Sequence, residues 1–444
     1  MKTKTALAPI LIAMIIGGLL VSTVSGQTNG QSGWTMLGAD PSHTGYVSSG
    51  TLITPNLLWS YPTTGAFAGA SSPAVANDIL YIGSSNGNLY ALNATDGIKL
   101  WNYSTGGAVD SSPAVANGIV YVGSIGGDFN ALNATNGEKI WSFTTDWINS
   151  SPTIVDGVVY FAGSHTVYAF NANSGLMLWN YSVNVQFIPL DPEGIYSSPA
   201  VVNGVVYIGS NNGLAGNLYG LNATDGSQLW VYTTEGWVES PPTVGNDIVY
   251  IPSSYGDLYA LNATNGQKVW SNSNILVKVN DGASVAFANN VVYVLSYYPN
   301  GAIEALNAET GVQLWSSSTT DCEPFPIVVG DVLYVGSTNN LFAFNATDGS
   351  WLWNSNQTGE ILSSPAYANG VVYAQSTNGT IYAFGTPSAP SSLAPSAPEF
   401  SSATISIAIL ILVTTITICV QLKKHRASKI QTHGRSIVSF TSLR

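Results

Sequence analysis

Basic residues are scarce in this chain of 444 residues, and they gather at its two ends. No arginine occurs before Arg426, and only four lysines lie between Lys4 and Leu422, whereas all 24 acidic residues fall between Asp40 and Glu399. Nucleic acids and anionic polysaccharides need a cationic surface, so this balance argues against both as partners. The acidity is equally consistent with solubility in a salty medium, and by itself it identifies no ligand.

Cysteine and histidine are also rare, which excludes several kinds of site. The chain has two cysteines. Cys322 lies in the repeat region, whereas Cys419 lies in an apolar run near the C-terminus, so we expect no disulfide within the propeller. His43 and His165 are the only histidines before His425. These two histidines are far apart in the register of the repeat, so the sequence offers neither the grouped ligands of a zinc site nor the histidine of a Ser-His-Asp triad. We expect His165 to lie in a turn between strands.

A repeated segment of about 40 residues fills most of the chain, a length typical of the four-stranded blade of a propeller. One copy reads LYALNATDGIKLW, and an upstream half such as SSPAVANDILYIGS precedes it. Each copy contributes one tyrosine from the upstream half, and these are Tyr81, Tyr121, Tyr160, Tyr207, Tyr250, Tyr293, Tyr334 and Tyr373. Eight tryptophans match them, namely Trp59, Trp101, Trp141, Trp179, Trp230, Trp270, Trp315 and Trp353.

Short alternating runs rich in Val, Ile and Tyr, separated by Asn-Gly and Asp-Gly pairs, indicate strands joined by tight turns. In the copy that ends near Trp141, SSPAVANG is the predicted inner strand, IVYVGS and FNALNA follow, and EKIWSF is the outer strand. The first copy offers only an outer strand around Trp59, and the last copy stops before its tryptophan. Joining the two closes a ring without open edges. We therefore predict an all-β fold, an eight-bladed propeller of four-stranded blades closed by its N- and C-terminal strands.

The motif A-L-N-A-x-x-G-x-x-x-W, with V-Y-x-G-S upstream, resembles the repeat of the pyrroloquinoline-quinone (PQQ) type of propeller, from roughly Trp34 to Gly385. The segment GWTMLGADPSHTGY is similar to the lead-in of many such proteins, through Trp34, Met36, Pro41, His43, Thr44 and Gly45. This resemblance implies an eight-bladed propeller. The family includes quinoprotein dehydrogenases and non-enzymatic scaffolds such as the propeller lipoprotein of the bacterial outer-membrane assembly machine, so the fold leaves the function open.

Within that family, the dehydrogenases typically carry an adjacent cysteine pair over the cofactor, a cationic side chain and a calcium-bound catalytic centre. This chain has no adjacent cysteine pair and no arginine in the repeat region. A cofactor with three carboxylates would enter a strongly negative shell at a large electrostatic cost. We therefore expect no PQQ and no catalytic residues. Calcium is the one candidate ion. The sequence favours a non-enzymatic protein and leaves the question of activity open.

The segments outside the ring predict a membrane-anchored protein. Residues 1–26 carry Lys2 and Lys4, an apolar run and a small-residue cleavage site, so they are a predicted signal peptide, with an uncleaved anchor as the alternative. Residues 27–385 are the predicted propeller, and residues 386–400 are a Pro/Ser/Ala linker. Residues 401–422 are an apolar helix long enough to cross a bilayer, and residues 423–444 are a basic tail. Basic residues beside the helix belong on the cytoplasmic side. We expect a single-pass plasma-membrane protein with an extracellular propeller.

One register position from every blade should form a ring at a mouth of the central channel. The residues eleven positions before the repeat tyrosines are Ala70, Asp110, Asn149, Tyr196, Glu239, Gly282, Glu323 and Leu362. Carboxylate oxygens are the ligands that calcium prefers. Asp110, Glu239 and Glu323 are thus a candidate site for calcium or a cationic group, and the alternative is that they are solvated loop residues.

A second candidate site consists of aromatic and acidic residues in the connections between blades. The longest connection, from Val183 to Tyr196, contains Phe187, Asp191 and Glu193. Trp147 and Trp237 are extra to the repeat tryptophans. Aromatic residues beside carboxylates on one propeller face indicate a surface that binds a protein or a glycan, whereas packing of the loops is the alternative.

Ten Asn-x-Ser/Thr sequences are candidate glycosylation sites in an exported protein. They are Asn93, Asn102, Asn133, Asn149, Asn180, Asn222, Asn262, Asn345, Asn356 and Asn378. Five of them recur at the same Asn-Ala-Thr turn, where the repeat alone could produce them. Taken together, the sequence favours a cell-surface binding or scaffold module for a protein or glycan, over a quinoprotein dehydrogenase or other propeller enzyme and over a structural component of the cell envelope.

Overall fold

The computed structural model of the protein describes residues 33–385, without residues 51–53, 64–70, 184–193, 214, 276, 278–284, 297–300, 320–324, 338–339, 356–358 and 362. The predicted signal peptide, linker, membrane helix and basic tail lie outside the described residues. In the part that is described, no helix has the length and hydropathy that a membrane span requires.

In the described part of the chain, thirty-three strands form eight sheets, which are the eight blades. Two strands precede the blades in the chain, β1 (Tyr46–Val47) and β2 (Leu57–Pro62). The strands of blades 1 to 4 are β3 (Ala74–Ala76), β4 (Ile79–Gly83), β5 (Asn88–Asn93), β6 (Lys99–Ser104), β7 (Ala114–Ala116), β8 (Ile119–Gly123), β9 (Asp128–Asn133), β10 (Lys139–Thr144), β11 (Thr153–Val155), β12 (Val158–Ala162), β13 (Thr166–Asn171), β14 (Met177–Ser182), β15 (Ala200–Val202), β16 (Val205–Asn211), β17 (Ala215–Asn222) and β18 (Gln228–Glu235).

Blades 5 to 8 repeat the same order. Their strands are β19 (Thr243–Gly245), β20 (Ile248–Pro252), β21 (Leu258–Asn262), β22 (Lys268–Asn272), β23 (Ala286–Ala288), β24 (Val291–Ser296), β25 (Ala302–Asn307), β26 (Gln313–Ser318), β27 (Ile327–Val329), β28 (Val332–Gly336), β29 (Leu341–Asn345), β30 (Trp351–Asn354), β31 (Ala366–Ala368), β32 (Val371–Gln375) and β33 (Thr380–Gly385). In each blade we name the strands A to D from the inner to the outer one.

Blade 8 closes the ring as the sequence predicts. Its sheet has the order β2-β33-β32-β31, so the N-terminal strand β2 supplies the outer strand. Trp59 pairs with Ala383 in this antiparallel ladder. The prediction of an eight-bladed propeller of four-stranded blades is confirmed, with one addition: β1 pairs in parallel with β27, so blade 7 has a fifth strand at its inner edge.

The repeat tryptophans lock neighbouring blades together. Each indole Nε1 donates a hydrogen bond of 2.8–3.2 Å to an alanine carbonyl in the C–D turn of the next blade, in the pairs Trp59–Ala94, Trp101–Ala134, Trp141–Ala172, Trp179–Ala223, Trp230–Ala263, Trp270–Ala308 and Trp315–Ala346. Tyr81 donates its hydroxyl to the carbonyl of Ala134, which therefore accepts two bonds. A glycine must follow in the turn, because a Cβ on Gly97 would lie 2.6 Å from the Trp59 ring.

The seam between blades 7 and 8 departs from this arrangement. Blade 8 has no C–D turn, because its strand D comes from the other end of the propeller. Trp353 is buried there, and its Nε1 has no hydrogen-bond partner among the described residues. Buried indole N–H groups are normally paired, so this seam forgoes a bond that the other seven seams make.

A β-bulge interrupts the pairing of strands C and D in every blade. The bulged residue directly precedes the repeat tryptophan. In blade 2, for example, Lys139 pairs with Leu132 and Trp141 pairs with Ala131, so Ile140 between them has no partner in the ladder. The extra residue is 46–52% exposed in six of the blades, and Ile140 is 46% exposed. A bulge disturbs the free edge of the outer strand, which makes that edge a poor template for another chain.

The lead-in segment lies at the centre of the ring. Its carbonyl groups accept hydrogen bonds of 2.7–2.9 Å from the second residue of six inner strands, with Trp34 bonded to Val75, Thr35 to Val115, Pro41 to Val201, Ser42 to Val244, Thr44 to Phe287 and Gly45 to Val328. These inner strands would otherwise present unpaired N–H groups to the channel. The segment therefore satisfies the inner edges of the blades and joins them across the axis.

His43 belongs to this central packing and is not a surface residue. Its side chain is 1% exposed, its Nδ1 lies 3.2 Å from the carbonyl oxygen of Pro242, and its Nε2 lies 3.1 Å from Thr153 Oγ1. Burial lowers the pKa of His43 from 6.5 to about 4. The imidazole is therefore neutral at neutral pH and serves the packing of the lead-in segment.

Candidate functional site

The two faces of the propeller carry different connections. The segments that join one blade to the next lie beside the B–C turns; for example, Val109 N donates to Ser84 O at 3.1 Å. The A–B and C–D turns contact each other on the opposite side, where Ala94 N donates to Asp78 O at 2.9 Å. We call the first side the connection face and the second the hairpin face. Of the predicted ring, the described residues Asp110, Asn149, Tyr196 and Glu239 precede inner strands and belong to the connection face, whereas Ala70, Gly282, Glu323 and Leu362 lie outside the described residues.

Serines of the repeated Ser-Ser-Pro sequence tie the connections together around the channel. The backbone N–H of Ser72 donates to Ser112 Oγ, that of Ser112 to Ser151 Oγ, and that of Ser151 to Ser198 Oγ, at 2.8–2.9 Å. The same link runs across the closure of the ring, from Ser364 N to Ser72 Oγ at 3.0 Å. The inner ends of these connections are therefore fixed in place by the repeat itself.

The predicted acidic ring is described only in part. Asp110 is half-buried, and burial raises the pKa of its carboxyl group. Glu239 Oε1 accepts a bond of 3.3 Å from Asn211 Nδ2, whereas Glu323 lies outside the described residues. Among the residues that are described, no three His, Cys, Asp or Glu side chains are grouped as a metal site. The calcium site at Asp110, Glu239 and Glu323 stays a prediction.

The two extra tryptophans lie on the connection face and are half-buried. Trp147 packs against Tyr196, with ring centroids 4.8 Å apart. Trp237 donates its Nε1 to the carbonyl of Gly213, and its backbone N–H donates to Ser254 Oγ at 2.7 Å. Both residues therefore contact the loops and keep part of their surface exposed. The contacts agree with packing of the loops, and binding of a partner through these residues stays a prediction.

Three polar residues beside Trp147 were not recognised from the sequence as a group. Ser164 Oγ donates to Asp146 Oδ2 at 3.1 Å and lies 2.8 Å from His165 Nδ1. With the serine hydrogen on the carboxylate, this contact is made by an imidazole that carries a hydrogen on Nδ1. The expected position in a strand turn is confirmed, since His165 lies between β12 and β13.

Backbone pairing connects this group to the next blades. Gly194 and Asn211 exchange hydrogen bonds of 3.2 and 2.8 Å. A Cβ on Gly194 would lie 3.8 Å from His165 Nε2, which places His165 next to this bridge. Asn211, in turn, donates to Glu239. The connection face is thus continuous from blade 3 to blade 5.

Tyr255 is the most exposed aromatic residue of this region. It lies in the B–C turn of blade 5 against Gly236, which directly precedes Trp237, and its side chain is 64% exposed. An exposed tyrosine in a turn carries no periodic signal, so the repeat could not reveal it.

We define the blade 3–5 surface by Asp146, Trp147, His165, Tyr196, Asn211, Trp237, Glu239 and Tyr255. The predicted Phe187, Asp191 and Glu193 lie outside the described residues.

The candidate glycosylation sites are distributed over both faces and the rim. The five Asn-Ala-Thr residues Asn93, Asn133, Asn222, Asn262 and Asn345 lie on the hairpin face, where each Oδ1 accepts from the backbone N–H of the threonine two positions on, at 2.8–3.0 Å. Asn102 and Asn180 are exposed on outer strands, Asn378 is in a B–C turn, and Asn149 Oδ1 is buried without a partner. Asn356 lies outside the described residues. Glycosylation stays a prediction at all ten.

The ring of eight blades with docked tryptophans defines the class of protein, a PQQ-like propeller. A family model described as outer membrane protein assembly factor BamB matches residues 21–215, 166–321 and 299–388, and the chain belongs to this family. Among curated relatives, BamB of Burkholderia pseudomallei is 29% identical over 219 residues, which are 46% of this chain and 54% of that protein. This chain therefore spans about half the length of that relative.

Solved structures with low sequence identity share the fold. A europium-containing methanol dehydrogenase superposes with a TM-score of 0.69 at 15% identity, covering 80% of this chain and 98% of that one. BamB of Moraxella catarrhalis superposes with a TM-score of 0.60 at 19% identity, covering 76% and 100%. A methanol dehydrogenase and BamB are thus built on the same ring, so the fold alone does not decide the function of this chain.

The described residues of the connection face do not fit a quinone with three carboxylates. The charged groups of the site are themselves carboxylates, Asp110, Asp146 and Glu239. The described lysines, Lys99, Lys139 and Lys268, are exposed at the starts of outer strands, next to the C–D turns of the hairpin face. An anionic cofactor would therefore meet like charge at this opening and no described cation. We derive no reaction step through it.

Proposed function

We propose that this protein is a non-enzymatic binding module whose connection face holds a protein or glycan partner at the cell surface. The observation that carries the proposal is the blade 3–5 surface, where accessible aromatic rings lie beside hydrogen-bonding side chains that the loops already hold in place. Aromatic residues of this kind dominate binding energies at interfaces. The BamB relatives are named as outer membrane protein assembly factors. This similarity supports a role in binding other proteins.

The membrane anchor is part of the same proposal. The apolar run at 401–422 and the basic tail support a single-pass anchor with the propeller outside the cell. The family description refers to the outer membrane, whereas the sequence favours the plasma membrane. Fractionation of the host membranes distinguishes the two locations, and the binding role does not depend on which is right.

The alternative of a quinoprotein dehydrogenase is tested with the full-length protein. PQQ and calcium are added, unbound quinone is removed by gel filtration, and the absorbance of retained quinone and the reduction of a dye with primary alcohols are recorded. We expect neither stoichiometric retention nor turnover, because of the carboxylates at the opening. Retention with dye reduction that disappears in an Asp110→Asn, Glu239→Gln variant would overturn the proposal and identify an enzyme.

A further inference from the structure

We propose that the blade 3–5 surface binds a neutral saccharide. This inference rests on the proposed function, because it assigns a ligand class to the same face. Its first support is the placement of the aromatic rings. Trp147 packs with Tyr196. Trp237 directly follows Gly236, against which Tyr255 lies, and Tyr255 is 64% exposed. The C–H face of a sugar ring is apolar and packs on the flat face of an aromatic side chain.

The second support is the hydrogen-bonding character of the polar groups on this surface. The carboxylates of Asp146 and Glu239 are acceptors. Asp146 accepts from the Ser164 hydroxyl, which lies 2.8 Å from His165 Nδ1, and Glu239 accepts from Asn211. Acceptors of this kind require a ligand that is rich in donors, and sugar hydroxyl groups are donors. Their positions are fixed by the loops, which lowers the entropy lost on binding.

Charge restricts the ligand further. The described residues of this surface include two carboxylates and no lysine or arginine. Acidic sugars and phosphates would be repelled by this arrangement, whereas an uncharged sugar is not. Glu239 is already hydrogen-bonded to Asn211, and Asp146 to Ser164. Each carboxylate thus has its own polar partner, and among the described residues the two belong to no group of three metal-ligating side chains, which suits single hydroxyl contacts better than one compact cation.

The experiment uses purified full-length protein and a panel of neutral tetra- to hexasaccharides of glucose, mannose, galactose and N-acetylglucosamine. Binding is measured by calorimetry or interferometry. We expect saturable binding to at least one member of the panel, weakened about tenfold by Tyr255→Ala and by His165→Ala, since one aromatic contact or one hydrogen bond contributes on that order. Tyr255→Phe keeps the ring and should retain most of the affinity. Trp351→Ala is the matched control, because Trp351 is 60% exposed on the outer strand β30, away from this surface.

Thermal melting of each variant shows whether its fold is intact. The saccharide proposal is wrong if no neutral oligosaccharide binds at millimolar concentration, if Trp351→Ala weakens binding as much as Tyr255→Ala, or if an oligolysine peptide or an acidic sugar binds in place of neutral sugars. If a protein partner binds through this face and no sugar does, the saccharide proposal is wrong and the proposed function stands. If neither a protein nor a sugar binds through this face, both proposals are wrong.

Discussion

Deleting residues 51–62 is expected to make the propeller aggregate. The deletion removes β2 and leaves β33 as an unpaired edge, because Trp59 pairs with Ala383 and Pro62 with Thr380. It also removes Trp59, whose Nε1 bonds to Ala94 O at 3.0 Å and holds blade 8 to blade 1. Long unpaired edges pair with other chains. Size-exclusion chromatography with light scattering measures the outcome.

A synthetic peptide of residues 51–62 provides the control for this deletion. If the missing strand is the cause, adding the peptide during refolding should restore a soluble, monodisperse protein. A deletion variant that is soluble and melts cooperatively without the peptide would show that seven blades suffice. The ring would then not depend on closure by β2.

Trp230→Ala is expected to lower the free energy of unfolding by about 3–5 kcal/mol, as large-to-small changes of buried aromatic residues do. Trp230 is 8% exposed, bonds to Ala263 O at 3.1 Å, and packs on Gly266 and on Tyr207, whose ring centroid is 5.9 Å away. Its loss leaves a cavity between blades 4 and 5 and removes a donor from the carbonyl of Ala263. Urea denaturation followed by circular dichroism measures the change.

The control for Trp230 is Trp351→Ala, which removes the same side chain from an exposed position. Substitutions of exposed residues away from special features usually change stability by less than about 0.5 kcal/mol. If the two variants lose similar amounts, docking of tryptophan on the next blade does not hold the ring together. The half-buried Trp237 is a poorer comparison, because its indole N–H is also bonded.

The ring could be predicted from the sequence because seven of the eight seams between blades repeat the same contacts. Trp101 and Tyr81 bond to one carbonyl of the next blade, and this geometry demands the same residues at the same spacing in each of these seams. Repetition makes such a constraint visible in a single sequence. The closure of blade 8 followed from counting which half of the repeat each end of the array lacks.

Features that break the repeat were harder to predict. The bulge that exposes Ile140 appears in the sequence as an ordinary apolar position, so alternation alone places it in the core. The lead-in segment has no period, and its role depends on six inner strands that are far away in the chain. Ser164 and His165 are adjacent, but Asp146 joins them only through the fold. Sites built by connections between blades therefore need the structure.

Site-specific photo-crosslinking tests the central claim, that the connection face of this ring binds a partner, most directly. A photoreactive phenylalanine analogue replaces either Tyr255 or Trp351 in the full-length protein, both exposed aromatic positions, and the host cells are irradiated. We predict adducts to a protein or glycan from position 255 and none above background from position 351. Adducts at position 351 alone, equal adducts at both positions, or none at position 255 would contradict the account.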